Sequence, residues 1–134
     1  MNKVVFVGDK PSTKNLDPNV AFVGTRSYDT LTEWCNTMNI PFRIFVNSES
    51  TDIIDIAEYN QQGCIFVALG NKASDVLNRL RIDHHKLPHP SPRNFALNDK
   101  QALHEKLMVC KRYIYHAMII KNLERTQYKE VSNA

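Results

Sequence analysis

The sequence contains no apolar run long enough to cross a bilayer. A membrane-spanning helix needs about 20 consecutive apolar residues, and no window of the 134 residues approaches that length. The amino terminus leads directly into a strand-like segment, without the apolar stretch and cleavage site of a secretory signal. We therefore expect a cytoplasmic protein with no membrane partner.

Cysteine is scarce, and its spacing argues against two kinds of site. Cys35, Cys64 and Cys110 are odd in number, lie far apart and form no CxxC pair, so they indicate neither a disulfide framework nor a metal site. We expect reduced thiols, mostly buried. His84 and His85 are poor ligands for one metal, because neighbouring residues on a strand face opposite sides. The sequence predicts no metal site.

Length and charge limit the number of domains and the kind of partner, but they do not identify a function. A chain of 134 residues that is 43% hydrophobic fits one core but not two. We expect a single compact domain over residues 1–125 and a frayed tail over residues 126–134. The formal net charge of +3 permits a polyanionic partner but does not require one. The oligomeric state stays open.

Apolar, β-branched segments alternate with amphipathic ones along the chain. The first strand-like run lacks the apolar and polar alternation of a half-exposed strand, which indicates a parallel strand covered on both faces. We expect four strands, at residues 3–7, 42–46, 64–69 and 82–87. The helices between and after them should begin at a Ser27 N-cap, a Thr51 cap, Asn71 and a capping-box-like pair, Asn98 and Gln101.

This order of elements predicts an α/β fold, a three-layer α/β/α domain with a central four-stranded, mostly parallel sheet. Ligands of such folds bind at the carboxyl ends of the strands. The segments expected there are residues 8–12, 47–48, 70–71 and 89–92. They would bring a carboxylate, an amide and an imidazole together at one edge of the sheet.

Five motifs in these segments resemble those of one family. They are VGDKPS at residues 7–12, AFVGTRSYDTLTEW at 21–34, IFVN at 44–47, FVALGNKASDVL at 66–77 and HPSP at 89–92. Each motif alone is weak, but together, in this order, they resemble the uracil-DNA glycosylase superfamily. The pattern is most similar to the iron-sulfur branch, although the cysteines that hold the cluster in that branch are missing here. We therefore expect no cofactor.

The resemblance implies a role for four residues around the target base. Asp9 would orient the attacking water and stabilise positive charge on the sugar. His89 would donate a hydrogen bond to the departing base as negative charge grows on it. Asn47 would hydrogen-bond the uracil edge, and Phe22 would stack on the flipped base. Each residue also has a purely structural interpretation, as a turn former, loop residue or core aromatic.

The resemblance also implies contacts to DNA outside the base. Ser12 and Ser91 would contact the phosphates that flank the flipped nucleotide. Arg93 follows the HPSP motif and would hold phosphate, or stack in the gap that the flipped base leaves. The simpler interpretation of both serines is turn geometry.

These residues favour a monofunctional DNA glycosylase that acts by base flipping and metal-independent attack of water. Its substrate would be DNA, single- or double-stranded, that carries uracil or a related modified pyrimidine. A noncatalytic nucleic-acid-binding module on the same fold is the main alternative, because a fold does not determine an activity. An enzyme acting on small nucleobases or nucleotides is a weaker one.

Overall fold

The computed structural model describes residues 3–8, 26–48, 53–91, 94 and 97–133, with side chains through Glu124. The strands are β1 (Val4–Gly8), β2 (Arg43–Asn47), β3 (Ile65–Leu69) and β4 (His84–Leu87). The helices are α1 (Arg26–Thr37), α2 (Ile53–Gln61), α3 (Asn71–Arg79) and α4 (Lys100–Asn133). Strands and helices therefore alternate along the chain, as the sequence predicts.

The four strands form one sheet in the order β2-β1-β3-β4, and every neighbouring pair is parallel. The register brings Val4 of β1 beside Arg43 of β2 and beside Ile65 of β3. All five residues of β1 are buried, as are all five of β3. The two central strands are thus covered on both faces, which explains their uninterrupted apolar sequences.

Two apolar clusters, one on each face of the sheet, make up the core. Val4 and Phe6 of β1 face a cluster that contains buried residues of α1 and α4. Val5 and Val7, which point the other way because strand side chains alternate, face a cluster with buried residues of α2 and α3. The helices therefore lie in two layers around the sheet. The expected three-layer α/β/α fold is confirmed.

Helices α1, α2 and α3 end in the same backbone motif. The residue that turns the chain out of each helix is left-handed: Asn39, Gly63 and Arg81 have φ values of 56°, 78° and 57°. The next residue donates its N–H to the carbonyl five positions earlier, at 2.9, 3.1 and 2.9 Å. It also buries its own side chain, which is the apolar contact of a Schellman motif. These next residues are Ile40, Cys64 and Ile82.

Two of the expected helix caps differ from the structure. Ser27 lies inside α1, which already includes Arg26, so it is not the N-cap. At α4, the side chain of Asp99 accepts a hydrogen bond from the Ala102 N–H at 3.0 Å. Asp99 caps this helix, and the pairing of Asn98 with Gln101 was wrong by one residue. A carboxylate can cap a helix as well as an amide can, because the oxygen of either group accepts a hydrogen bond from a backbone N–H in the first turn.

Helix α4 is much longer than the other three. Its helical backbone continues through residues 126–133, where a frayed tail is expected from the sequence. Along the part of the chain that the structure describes, no helix combines the length and the apolar character needed to span a membrane. The packed part of α4 presents Leu107, Cys110 and Ile114 to the core, all at most 4% exposed.

Arg81 allows the cost of the left-handed turn to be measured. A residue with a Cβ atom pays about 1–2 kcal/mol in this conformation, whereas glycine does not. Arg81→Gly should therefore raise the free energy of unfolding, by up to about 1 kcal/mol after the added freedom of the unfolded chain is subtracted. Arg79→Gly, in the last turn of α3, should lower it by about 1 kcal/mol. Urea denaturation measures both; a loss of stability in Arg81→Gly would contradict the assignment.

Candidate functional site

The order of the strands places a crevice at the carboxyl edge of the sheet. From β1 the chain moves outward to β2, whereas from β3 it moves outward in the other direction to β4. The connections that leave the two central strands therefore diverge, and parallel sheets bind their ligands where this happens. The residues at this edge are Gly8 and Asn47, Gly70 after β3, and His89 after β4.

Glycine occupies the middle of the edge. Gly8 lies beside Asn47 in the register of β1 and β2. Gly70 follows β3, and its N–H donates to the carbonyl of Leu87 in β4 at 2.9 Å. Three strand spacings, about 14 Å in total, separate β2 from β4. Among the described residues, the two outer strands thus carry the amide and the imidazole, and a glycine ends or follows each inner strand.

Asn47 is the one buried polar or charged side chain among the described residues, with 5% of its surface exposed. Its backbone belongs to β2, and the next residue, Ser48, donates its N–H to the carbonyl of Gly8 at 2.8 Å. Its side-chain oxygen Oδ1 has no hydrogen-bond partner within the described part of the chain. A buried carbonyl without a partner costs about 1–3 kcal/mol, which a ligand with a suitable donor would recover.

The ring of His89 is oriented by the backbone around it. The N–H of Ser91 donates to Nδ1 of His89 at 3.1 Å. Because Nδ1 accepts this bond, the neutral ring carries its proton on Nε2, which makes Nε2 a donor. Asn94 donates from Nδ2 to the carbonyl of His89 at 3.0 Å and from its N–H to the carbonyl of Ser91 at 3.0 Å. The two bonds hold the turn after β4 together.

Gly70 lies next to the turn that carries His89. Its φ of 94° is unfavourable for any residue with a side chain. A Cβ atom on Gly70 would lie 3.4 Å from Cβ of His89 and 3.8 Å from its ring carbon Cδ2. Both distances are ordinary van der Waals contacts, so the backbone conformation at the start of α3, rather than a lack of space, requires the glycine.

A cleft of about 800 Å³ opens beside His89. It runs along β4 and the first half of α4, and Lys86 on its wall donates from Nζ to Oδ1 of Asn71 at 2.9 Å. The lysine and acidic side chains among the described residues that line the cleft are Lys86, Lys106 and Glu105. The sequence interpretation missed this cleft, because no short-range pattern reveals which side chains of α4 lie beside the edge strand.

The structure brings three of the candidate residues to one edge. Asn47, His89 and Ser91 all follow or close the carboxyl ends of their strands. Asn47 is not among the residues that line the cleft beside His89, so these two share the edge without sharing that cleft. The other candidates, which are Asp9, Ser12, Phe22 and Arg93, lie outside the described residues, as does the expected Thr51 cap.

The two histidines of β4, His84 and His85, point to opposite faces of the sheet, as expected. His84 Nε2 lies 2.8 Å from Ser74 Oγ of α3. His85 packs against the ring of Tyr113 of α4, with the ring centres 5.3 Å apart. Burial, with a smaller contribution from His84, lowers the pKa of His85 and favours its neutral form. Among the described residues, no group of three or more histidine, cysteine or acidic side chains could hold a metal ion.

The cysteines are free and buried, as the sequence predicts. Burial raises the pKa of Cys35 to about 12 and that of Cys110 to about 12. Thiols with such values are protonated near neutral pH, and the thiolate is the nucleophile. These two cysteines therefore contribute packing rather than chemistry.

Comparison with known proteins found no matching family model, no matching curated protein and no matching solved structure. The likeness to the uracil-DNA glycosylases rests on the five sequence motifs alone.

The Asn47 oxygen, which has no partner among the described residues, predicts an unusual effect on stability. Asn47→Leu keeps the approximate shape of the side chain and removes the buried carbonyl, so the free energy of unfolding should rise by about 1 kcal/mol. Asn78→Leu, on the exposed face of α3, should change it by less than about 0.5 kcal/mol. Denaturation by urea, followed by circular dichroism, measures both variants. Destabilisation by Asn47→Leu would show that the amide is held by the protein.

Proposed function

We propose that the protein is a DNA glycosylase that hydrolyses the N-glycosidic bond of uracil or a related pyrimidine in DNA. The observation that carries the proposal is the buried Asn47 side chain, whose oxygen has no partner among the described residues, at the carboxyl edge of the sheet. Buried polar atoms of folded proteins nearly always have a hydrogen-bond partner, and of the two described atoms without one, Thr32 Oγ1 and Asn47 Oδ1, the second lies where parallel sheets bind ligands. The motif resemblance independently assigns base recognition to the same residue.

A pyrimidine base can supply the hydrogen-bond partner that Asn47 Oδ1 lacks among the described residues. Uracil presents an N–H donor at N3 beside a carbonyl acceptor at O4, in one plane. Oδ1 of Asn47 accepts from the first and Nδ2 donates to the second. The two bonds replace water that the buried amide has lost, so recognition depends on taking the base out of the duplex and enclosing it.

His89 fits the role of a neutral donor. The hydrogen bond from the Ser91 N–H to Nδ1 leaves the proton of the neutral ring on Nε2. As the glycosidic bond breaks, negative charge grows on the O2 oxygen of the base. A donor that is already oriented stabilises this charge without moving, which is the most effective kind of electrostatic catalysis. Asp9, by resemblance, would orient the water on the other side of the bond.

The cleft beside His89 fits a nucleic-acid strand. Two lysines, Lys86 and Lys106, line it against one carboxylate, Glu105. Positive side chains along a groove hold phosphates and contribute most of the sequence-independent affinity for DNA. Ser12, Ser91 and Arg93 would add phosphate contacts nearer the flipped nucleotide. Such a protein would act where DNA is accessible, in keeping with the cytoplasmic location that we expect.

Catalysis by the edge residues is tested with oligonucleotides that carry a single uracil. His89→Ala should slow uracil release by about 10²–10³, the usual cost of one oriented donor. Asp9→Asn should also slow it, while DNA binding stays nearly intact, because its charge acts mainly in the transition state. His104→Ala removes an exposed histidine of α4 and is the matched control.

Release is measured as alkali-labile abasic sites in single- and double-stranded substrates. Equal rates in wild type, His89→Ala and Asp9→Asn would reject the proposed active site. DNA binding without uracil release by the wild type would favour the noncatalytic module. Release from a free nucleoside but not from DNA would favour a small-molecule enzyme.

The DNA path is tested by the salt dependence of binding. Each phosphate contact contributes about 0.7–0.9 to the slope of log affinity against log salt. Lys106→Ala should weaken binding of an abasic oligonucleotide and lower that slope by about 1. Lys111→Ala, whose ammonium lies 5.8 Å from the ring centre of Tyr115 and does not line the cleft, should leave the slope unchanged. If both variants showed the same slope of log affinity against log salt, the cleft would not be part of the DNA-binding surface.

A further inference from the structure

The second half of α4 passes the amino edge of the sheet, which is the edge opposite the candidate site. Lys106 lines the cleft beside His89 at the carboxyl edge, whereas Ile120 and Glu124 line a separate cavity with Cys64, the residue before β3. Helix α4 therefore runs antiparallel to the strands. Its 34 residues extend for about 51 Å, whereas a strand of five residues spans about 17 Å, so the helix continues well beyond the sheet.

Exposed apolar side chains are concentrated at this amino edge. Among the described residues, seven large apolar side chains are exposed, and five of them, between 36% and 59% exposed, lie here: Phe42, Tyr115, Ile119, Ile120 and Leu123. Tyr115, Ile119 and Leu123 recur every four residues and form a stripe on the side of α4 that faces away from the core. We refer to these three residues as the α4 stripe. Phe42, directly before β2, shares a groove with Tyr115.

The exposed area is large enough for an interface between two copies of the chain. Five large apolar side chains, each about half exposed, leave on the order of 500 Å² of apolar surface in water, near the upper end for a monomeric protein. Two such patches pressed together bury on the order of 1,000 Å², which is the lower limit for a specific protein interface. A second copy of the chain supplies a patch of equal size and kind.

The sequence around the α4 stripe has the symmetry of an antiparallel helix pair. Arg112 precedes Ile119 by seven positions, and Glu130 follows Leu123 by seven. The helical backbone of α4 includes all four positions, which fall on one side of a helix with 3.6 residues per turn. In an antiparallel pair centred between Ile119 and Leu123, each Ile119 meets a Leu123 and each Arg112 meets a Glu130 of the other copy. Such a pair joins apolar to apolar residues at its centre and basic to acidic residues at both ends.

We propose that two copies of this chain form a two-fold dimer through antiparallel pairing of their α4 helices, centred on the α4 stripe. A helix that continues past the sheet is marginal in water by itself, and the second copy supplies the apolar packing that stabilises it. The dimer buries the amino edge and leaves both carboxyl edges open. The inference does not depend on the proposed function, because it concerns the opposite edge of the sheet.

Sedimentation equilibrium of the full chain measures the association. An interface at the small end of the specific range predicts a dissociation constant on the order of 10 µM for the wild-type dimer. Ile119→Glu buries a carboxylate twice in a symmetric interface and should weaken dimerisation at least about 100-fold. Ile54→Glu makes the same change at an exposed isoleucine of α2 and should leave dimerisation unchanged. Circular dichroism verifies that both variants are folded.

Charge reversal tests the antiparallel arrangement. Arg112→Glu should weaken the dimer at least about tenfold, because like charges then face each other at both ends. Adding Glu130→Arg to that variant should restore the wild-type affinity to within about threefold, since the ion pairs re-form with their order exchanged. Failure of the second change to rescue the first would overturn the antiparallel pairing.

Three other results would overturn the dimer itself. The first is a wild type that stays monomeric up to about 200 µM, well above the expected dissociation constant. The second is a dimer that Ile119→Glu leaves intact, because another face would then join the copies. The third is a monomer that binds phosphatidylglycerol vesicles and loses that binding in Ile119→Glu, which would assign the α4 stripe to a membrane surface.

Discussion

The parallel pairing of β1 with both β2 and β3 is the constraint on which the rest of the structure depends. It buries five consecutive residues on both faces, so each face needs its own layer of helices. Because β1 lies between its neighbours, the chain must leave it in one direction and return on the other side. That reversal produces both the three layers and the crevice at the carboxyl edge.

Hydrogen bonds hold the strand ends at the candidate site. Backbone hydrogen bonds, Ser48 to Gly8 and Gly70 to Leu87, join the outer strands to the inner ones and hold the chain where β2 and β4 end. The Ser91 N–H orients the imidazole of His89, and the side-chain amide of Asn94 holds the His89 carbonyl. Two buried side-chain oxygens are without a partner among the described residues, Thr32 Oγ1 in α1 and Asn47 Oδ1 at this edge. The second of these atoms lies where the motifs expect a base.

Much of the fold could be predicted because its signals are local. The β-branched runs, the glycine after α2 and the position of α3 follow from rules that act over a few residues. The cap of α4 was missed by one position, because Asn98 and Asp99 are both good capping residues and only the backbone path selects between them. Arg81 gave no local sign of its left-handed backbone. There the burial of Ile82 outweighs the propensity of the arginine.

The sequence by itself determined the alternating α/β order, the buried strands and the placement of Asn47 and His89 at the carboxyl ends of two of them, because each depends on neighbouring residues. Only the tertiary structure decided that glycine backbone separates these two side chains, that the Ser91 N–H selects the tautomer of His89, and that α4 closes a cleft beside β4. These features join residues that are distant in the chain or depend on the exact path of a turn. Their geometry follows from how helices pack on a parallel sheet, which no short stretch of sequence encodes.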